Sequence, residues 1–170
     1  KAHELSTAPE IFNQMNGKVD AIVCGVGTGG TISGIGKYFS EHSPKTEMVL
    51  ADPEGSIVKD AVEKNQIMQA DYSWLVEGIG EDFIPETLEL KYIKKAYSVS
   101  NKEAFDTIRK LAATEGILGG SSSGTLISAA IKYCKEQTNE KNVLTFICDN
   151  GEKYLNTAYN ESWLKEKNLI

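Results

Sequence analysis

The sequence predicts an α/β domain, a mostly parallel sheet with helices on both faces. Three observations carry that expectation. Short apolar runs that read as buried strands alternate with stretches of helical periodicity. Two glycine-rich loops fall at or near strand ends, where parallel sheets bind ligands. The length, 170 residues, suits one domain or one lobe of a larger protein.

Thr7-Ala8-Pro9-Glu10 has the form of a capping box and predicts a helix start, with Ile11, Phe12 and Met15 on the inner face. Residues 20–24 form a buried strand bounded by glycine. A helix follows over 30–41, with Ile32, Ile35, Tyr38 and Phe39 at helical spacing. Residues 47–51 read as the next strand, and 52–95 as a long irregular stretch rich in turn residues. A strand over 96–99 leads to a second capping box, Ser100-Asn101-Lys102-Glu103. That box opens a helix through Ala113, closed by Gly116. A helix over 125–135, a strand over 143–148 and a packed helical tail from Glu152 complete the order.

Composition narrows the function. Eighteen basic residues against 24 acidic ones leave a net charge of -6 without a Lys/Arg cluster, which argues against a nucleic-acid surface. No apolar stretch is long enough to span a bilayer, and residues 1–20 lack the apolar segment of a signal peptide. Cys24, Cys134 and Cys148 form no CxxC pair. Cys24 and Cys148 sit inside apolar runs and read as buried, inert thiols, which favours a reducing, cytoplasmic setting. His3 and His42 have no Cys or His at ligand spacing, so no metal site is expected.

Two loops carry the chemistry. Gly25-Val26-Gly27-Thr28-Gly29-Gly30-Thr31 leaves a strand and enters a helix, whose free N–H groups and dipole suit a phosphate. Gly116-Ile117-Leu118-Gly119-Gly120-Ser121-Ser122-Ser123-Gly124-Thr125 links two helices and presents a row of hydroxyls; Ser122 or Ser123 would make an ordinary N-cap. Gly25, Gly27 and Gly30 also fit the dinucleotide fingerprint. Asp52, 22 positions beyond Gly30, stands where a ribose-binding acid would sit. An NAD-binding Rossmann domain is therefore a rival reading, and a non-catalytic phosphate-binding module a third. The Walker pattern fails, because Gly36-Lys37 is followed by Tyr38.

With these segments in hand the chain resembles the larger domain of the fold-type II pyridoxal-phosphate enzymes. Within them it is most similar to the cystathionine β-synthases, with the cysteine synthases next. The resemblance rests on GVGTGGT at 25–31, DPEGS at 52–56, EGIGEDFIP at 77–85 and GILGGSSSGT at 116–125. It implies a β-replacement lyase of amino-acid biosynthesis and transsulfuration, a homodimer acting on small amino-acid substrates, with pyridoxal 5'-phosphate as cofactor. Gly27, Thr28, Gly29, Gly30 and Thr31 would hold the phosphate, and Ser122 would face the pyridine nitrogen. A neutral hydroxyl there leaves the ring a mild electron sink, which suits loss of a β-substituent. Gly78 and Gly80 would let backbone approach the substrate, and Glu81 and Asp82 stand beside them. The stretch Cys148-Asp149-Asn150 departs from the family's Pro followed by Asp or Ser, and no ligand role is carried over to Asp149. Gly151-Glu152-Lys153-Tyr154-Leu155 is closer to the cysteine synthases.

The family carries its cofactor on a Schiff-base lysine in a smaller domain that precedes this region, and no lysine here has the surrounding pattern. Residues 1–170 are thus expected to be the phosphate-binding large domain without the lysine-bearing one. By the same reading the chain holds no catalytic residue of its own and is inactive alone. Helix faces that would meet the smaller domain should leave an exposed apolar patch.

Overall fold

The computed structural model describes residues 1–64 and 69–170. Four strands form one all-parallel sheet in the order β3-β2-β1-β4: β1 (Ala21–Cys24), β2 (Glu47–Pro53), β3 (Ile93–Val99) and β4 (Val143–Leu144). Side chains of β1 alternate between two cores, as a pleated strand dictates. Ala21 and Val23 pack with Phe105, Ile108, Leu126 and Tyr133 on one face. Ile22 and Cys24 pack with Ile11, Ile32, Ile35 and Phe39 on the other. Both faces are therefore covered, the condition under which parallel sheets occur. No helix among the described residues is long and apolar enough to cross a membrane.

The first core is covered by α5 (Asn101–Glu115), α6 (Ser121–Lys135) and α7 (Glu161–Glu166), the second by α2 (Thr7–Gln14) and α3 (Gly30–His42). The capping box of α5 forms as expected: Glu103 N–H donates to Ser100 Oγ at 3.3 Å, and Ser100 N–H donates to Glu103 Oε2 at 3.0 Å. Gly116, with φ +70, closes the helix in the left-handed conformation. Replacing Ser100 by Ala should cost about 1 kcal/mol. For a domain of this size that lowers the melting temperature by about 3 °C, measurable by circular dichroism.

Four expectations about elements are corrected. The capping box at Thr7 does not form, because a short helix, α1 (Ala2–Leu5), leads directly into α2 and Ser6 occupies the cap position. The Thr7 hydroxyl instead pairs with His3 Nδ1 at 3.0 Å. The stretch 52–95, whose residues 65–68 lie outside the described residues, contains α4 (Val58–Lys64), a 3-10 turn (Leu90–Tyr92) and the first residues of β3. The serines of the second loop are not in a loop. They form the first turn of α6, with Gly120 at the cap, so neither Ser122 nor Ser123 is the N-cap. The last strand pairs over only two of the six residues 143–148; the tail beyond it is helical and packed as expected, with a 3-10 turn (Gly151–Tyr154) and the short α7.

Candidate functional site

The chain passes from β1 outward through β2 to β3, then returns to add β4 on the other side of β1. The carboxyl ends of β1 and β4 flank that switch point, where open parallel sheets leave a crevice. A cavity of about 540 Å³ lies there. Its lining includes Gly25, Gly27, Thr28, Gly29 and Thr31 after β1, Gly78 and Ile79, Ser122 of α6, and Cys148 and Asp149 after β4.

Two helix N-termini converge on this space, and neither has a side-chain cap. Gly29 in the left-handed conformation (φ +80) begins α3, and Gly120 begins α6. Backbone donors at both starts are free for an acceptor, and both dipoles present their positive ends. A Cβ on Gly30 would meet nothing closer than Thr28 Oγ1 at 3.8 Å, so this turn leaves room for an anion. The other glycines of the loop serve packing. A Cβ on Gly27 would lie 2.7 Å from the Gly78 carbonyl oxygen, and one on Gly29 would lie 2.7 Å from Leu88 Cβ.

Of the residues expected from sequence, Gly27, Thr28, Gly29, Thr31, Ser122 and Gly78 line the cavity, whereas Gly30, Gly80 and Glu81 do not. Thr31 Oγ1 also pairs with His3 Nε2 at 3.2 Å, which ties the amino-terminal helices to the glycine loop. Glu81 lies behind Gly27, its Oε1 4.0 Å from where a Cβ would stand, and burial raises its carboxyl above the usual range with help from Asp82.

The wall after β4 is the part sequence reasoning missed. Asp149 Oδ2 accepts from Tyr154 O–H at 2.9 Å, and Lys153 Nζ stands 3.7 Å away. Burial, with the Asp149 bond second, pushes the Tyr154 phenol up to about 12. Asp149 Oδ1 is buried and has no hydrogen-bond partner among the described residues. That oxygen packs against the start of α6, 1.8 Å from where a Gly120 Cβ would stand, so the anionic part of a ligand is left to the free N–H groups of the two helix starts. Cys148 is exposed and borders the cavity, which corrects its assignment as a buried thiol; Cys24 is buried as expected. Partial burial raises the Cys148 thiol, so it is not an activated nucleophile. The position of Asp149, directly after the apolar run 143–148 that begins as β4, was the available signal.

The Asp52 expectation is overturned. Its carboxylate is 1% exposed, does not line the cavity, and accepts from Lys59 N–H at 2.8 Å to start α4. Desolvation pushes it from 3.8 up to about 6. The folded chain therefore keeps this proton to about pH 6, whereas the unfolded chain releases it near 4. Stability from this group is full below about pH 4 and is lost as pH rises through 6, by about 3 kcal/mol at most. Urea denaturation across pH 4–7 should show that fall in the wild type relative to Asp52→Asn. Parallel profiles for the two proteins would refute it.

A domain with this crevice, glycine loop and paired helix starts belongs to the α/β proteins that bind phosphate-bearing ligands at a strand switch point. Residues 2–149 match the model of the family described as pyridoxal-phosphate dependent enzyme, and the chain belongs to that family. It is 39% identical over 177 aligned residues to cystathionine beta-synthase of Saccharomyces cerevisiae, covering 99% of this chain and 34% of that protein. It is 37% identical over 171 residues to cysteine synthase A of Escherichia coli, covering 98% of this chain and 52% of that protein. It is 41% identical over 158 residues to cysteine synthase of Staphylococcus aureus, covering 92% and 49%. The chain thus spans about a third to a half of the length of these curated relatives. A dinucleotide-binding domain is not favoured.

Proposed function

We propose that this chain supplies the cofactor-phosphate and substrate-facing walls of a pyridoxal-phosphate β-replacement site that joins serine to homocysteine, giving cystathionine. The observation that carries it is the convergence of two uncapped helix starts and the glycine loop on one cavity. In this reading the N–H groups at the start of α3, with the hydroxyls of Thr28 and Thr31, hold the phosphate across Gly27, Gly29 and Gly30. Ser122 offers a neutral hydroxyl to the ring nitrogen from the first turn of α6. Gly78 brings backbone to the amino acid, Gly80 holds that segment to Val26, and Glu81 stands behind the loop. When bound, the cofactor draws electron density from the amino acid's α-carbon so that the β-substituent can leave.

Cysteine synthesis with sulfide is the second reading. It is favoured by the Gly151-Glu152-Lys153-Tyr154-Leu155 stretch and by the similarity to two cysteine synthases. Calorimetric titration tests the cofactor assignment. Pyridoxal 5'-phosphate should saturate the chain, inorganic phosphate should compete, and pyridoxal should bind at least tenfold more weakly. Equal binding of pyridoxal, or saturable binding of NAD instead, overturns it. Turnover of serine with homocysteine against O-acetylserine with sulfide by the whole protein separates the two nucleophiles.

A further inference from the structure

The segment that bears Gly78, Gly80 and Glu81 has no regular secondary structure, so its position depends on ties to its neighbours. Glu77 N–H donates to Ser121 Oγ at 3.0 Å. Gly80 N–H donates to the Val26 carbonyl at 2.9 Å. At Glu81 both backbone groups are held by one side chain: Glu81 N–H donates to Ser56 Oγ at 3.0 Å, and Ser56 O–H donates to the Glu81 carbonyl at 3.2 Å. Ile57 N–H donates to the same carbonyl at 3.0 Å.

Ser56 is itself presented from a fixed base. It follows β2, where Glu54 N–H donates to the Val99 carbonyl at 2.9 Å and Ser56 N–H donates to the Pro53 carbonyl at 3.1 Å. Gly55, with φ +97, makes the turn beneath Asp71, whose Oδ1 would lie 2.0 Å from any Cβ there. On the other side of the segment, the Trp74 indole nitrogen packs within 2.8 Å of where a Gly80 Cβ would stand. The segment is thus fixed at residue 77 by α6, at 80 by the glycine loop and at 81 by Ser56.

Building on the cofactor reading above, we infer that Ser56 is a positioning residue: its hydroxyl chelates the Glu81 backbone and so holds the 77–81 segment at the distance from the glycine loop that the amino-acid part of the ligand requires. The phosphate end of the ligand does not depend on this tie, because the start of α3 is built without it. Ser56 Oγ also accepts from Val58 N–H at 3.5 Å at the start of α4; of the ligand's two ends, Ser56 acts on the amino-acid end.

The test compares two probes on the full chain: pyridoxal 5'-phosphate, and its reduced, stable adduct with L-serine. Ser56→Ala should weaken the serine adduct at least tenfold and leave pyridoxal 5'-phosphate within about twofold. Ser56→Thr, which keeps the hydroxyl, should restore the adduct. In a Trp163→Phe background the emission of Trp74 reports the segment without any ligand, and S56A should shift it to the red. Equal weakening of both probes, or no change in either, overturns the assignment while leaving the cofactor reading intact. Failure of the wild-type chain to bind pyridoxal 5'-phosphate overturns both.

Discussion

Gly124→Ala should destabilise the chain by about 3 kcal/mol or more, enough to unfold a marginal domain. The reason is contact between backbones. Gly124 lies in the first turns of α6 where that helix crosses α5, and a Cβ there would stand 2.1 Å from the Ala104 carbonyl oxygen and 2.7 Å from Ile108 Cγ2. A flexible side chain could swing aside; a helix carbonyl cannot. Ser128, one turn later, shows how closely the helices run, for its Oγ lies 2.7 Å from Thr107 Oγ1 and donates to the Glu103 carbonyl at 3.3 Å. Relief requires the helices to separate, which opens the core around Phe105, Ile108 and Leu126. Urea denaturation measures the effect. A loss below about 1 kcal/mol would show that the pair separates freely.

Gly27→Ala should leave the fold in place and weaken binding at the amino-acid end of the ligand. Its Cβ would press to 2.7 Å from the Gly78 carbonyl, which lies in a segment without regular secondary structure. The segment moves outward, the tie between Gly80 N–H and Val26 is strained, and the two sides of the cavity lose their spacing. A misplacement of about 1 Å at such a site costs on the order of a hundredfold. Affinity for the reduced serine adduct of pyridoxal 5'-phosphate should therefore fall about a hundredfold, with the melting temperature within a few degrees of wild type. Unchanged affinity would mean that the two segments are not both needed.

Much of this was legible because it is local. The Ser100 capping box, the apolar spacing of α3 and the glycine run after β1 all depend on residues a few positions apart, and each has the form expected. What failed depends on distant partners. α4 begins because Asp52, seven positions earlier, accepts from Lys59 N–H, so the residue that suggested a ribose ligand is a helix support. Serine is a weak helix former, yet Ser121, Ser122 and Ser123 are helical because burial against the rest of the fold outweighs propensity. The run after Leu144 is apolar enough for a strand but leaves the sheet: Cys148 N–H donates to Ser123 Oγ at 3.0 Å, and the Asp149 carbonyl accepts from Gly120 N–H at 3.0 Å. That departure exposes Cys148 and brings Asp149 to the cavity.

The same departure gives the crevice two mechanical halves. Residues 148–151 are bonded to Leu118, Gly120 and Ser123, so this wall travels with the start of α6, while β4 joins it to β1 through two paired residues. The glycine loop is anchored through β1, while the 77–81 segment bridges the two, bonded to Ser121 of α6 at Glu77 and to Val26 at Gly80. A molecule gripping both sides adds the rungs that the sheet lacks there, and so works as a strut whose length sets the gap.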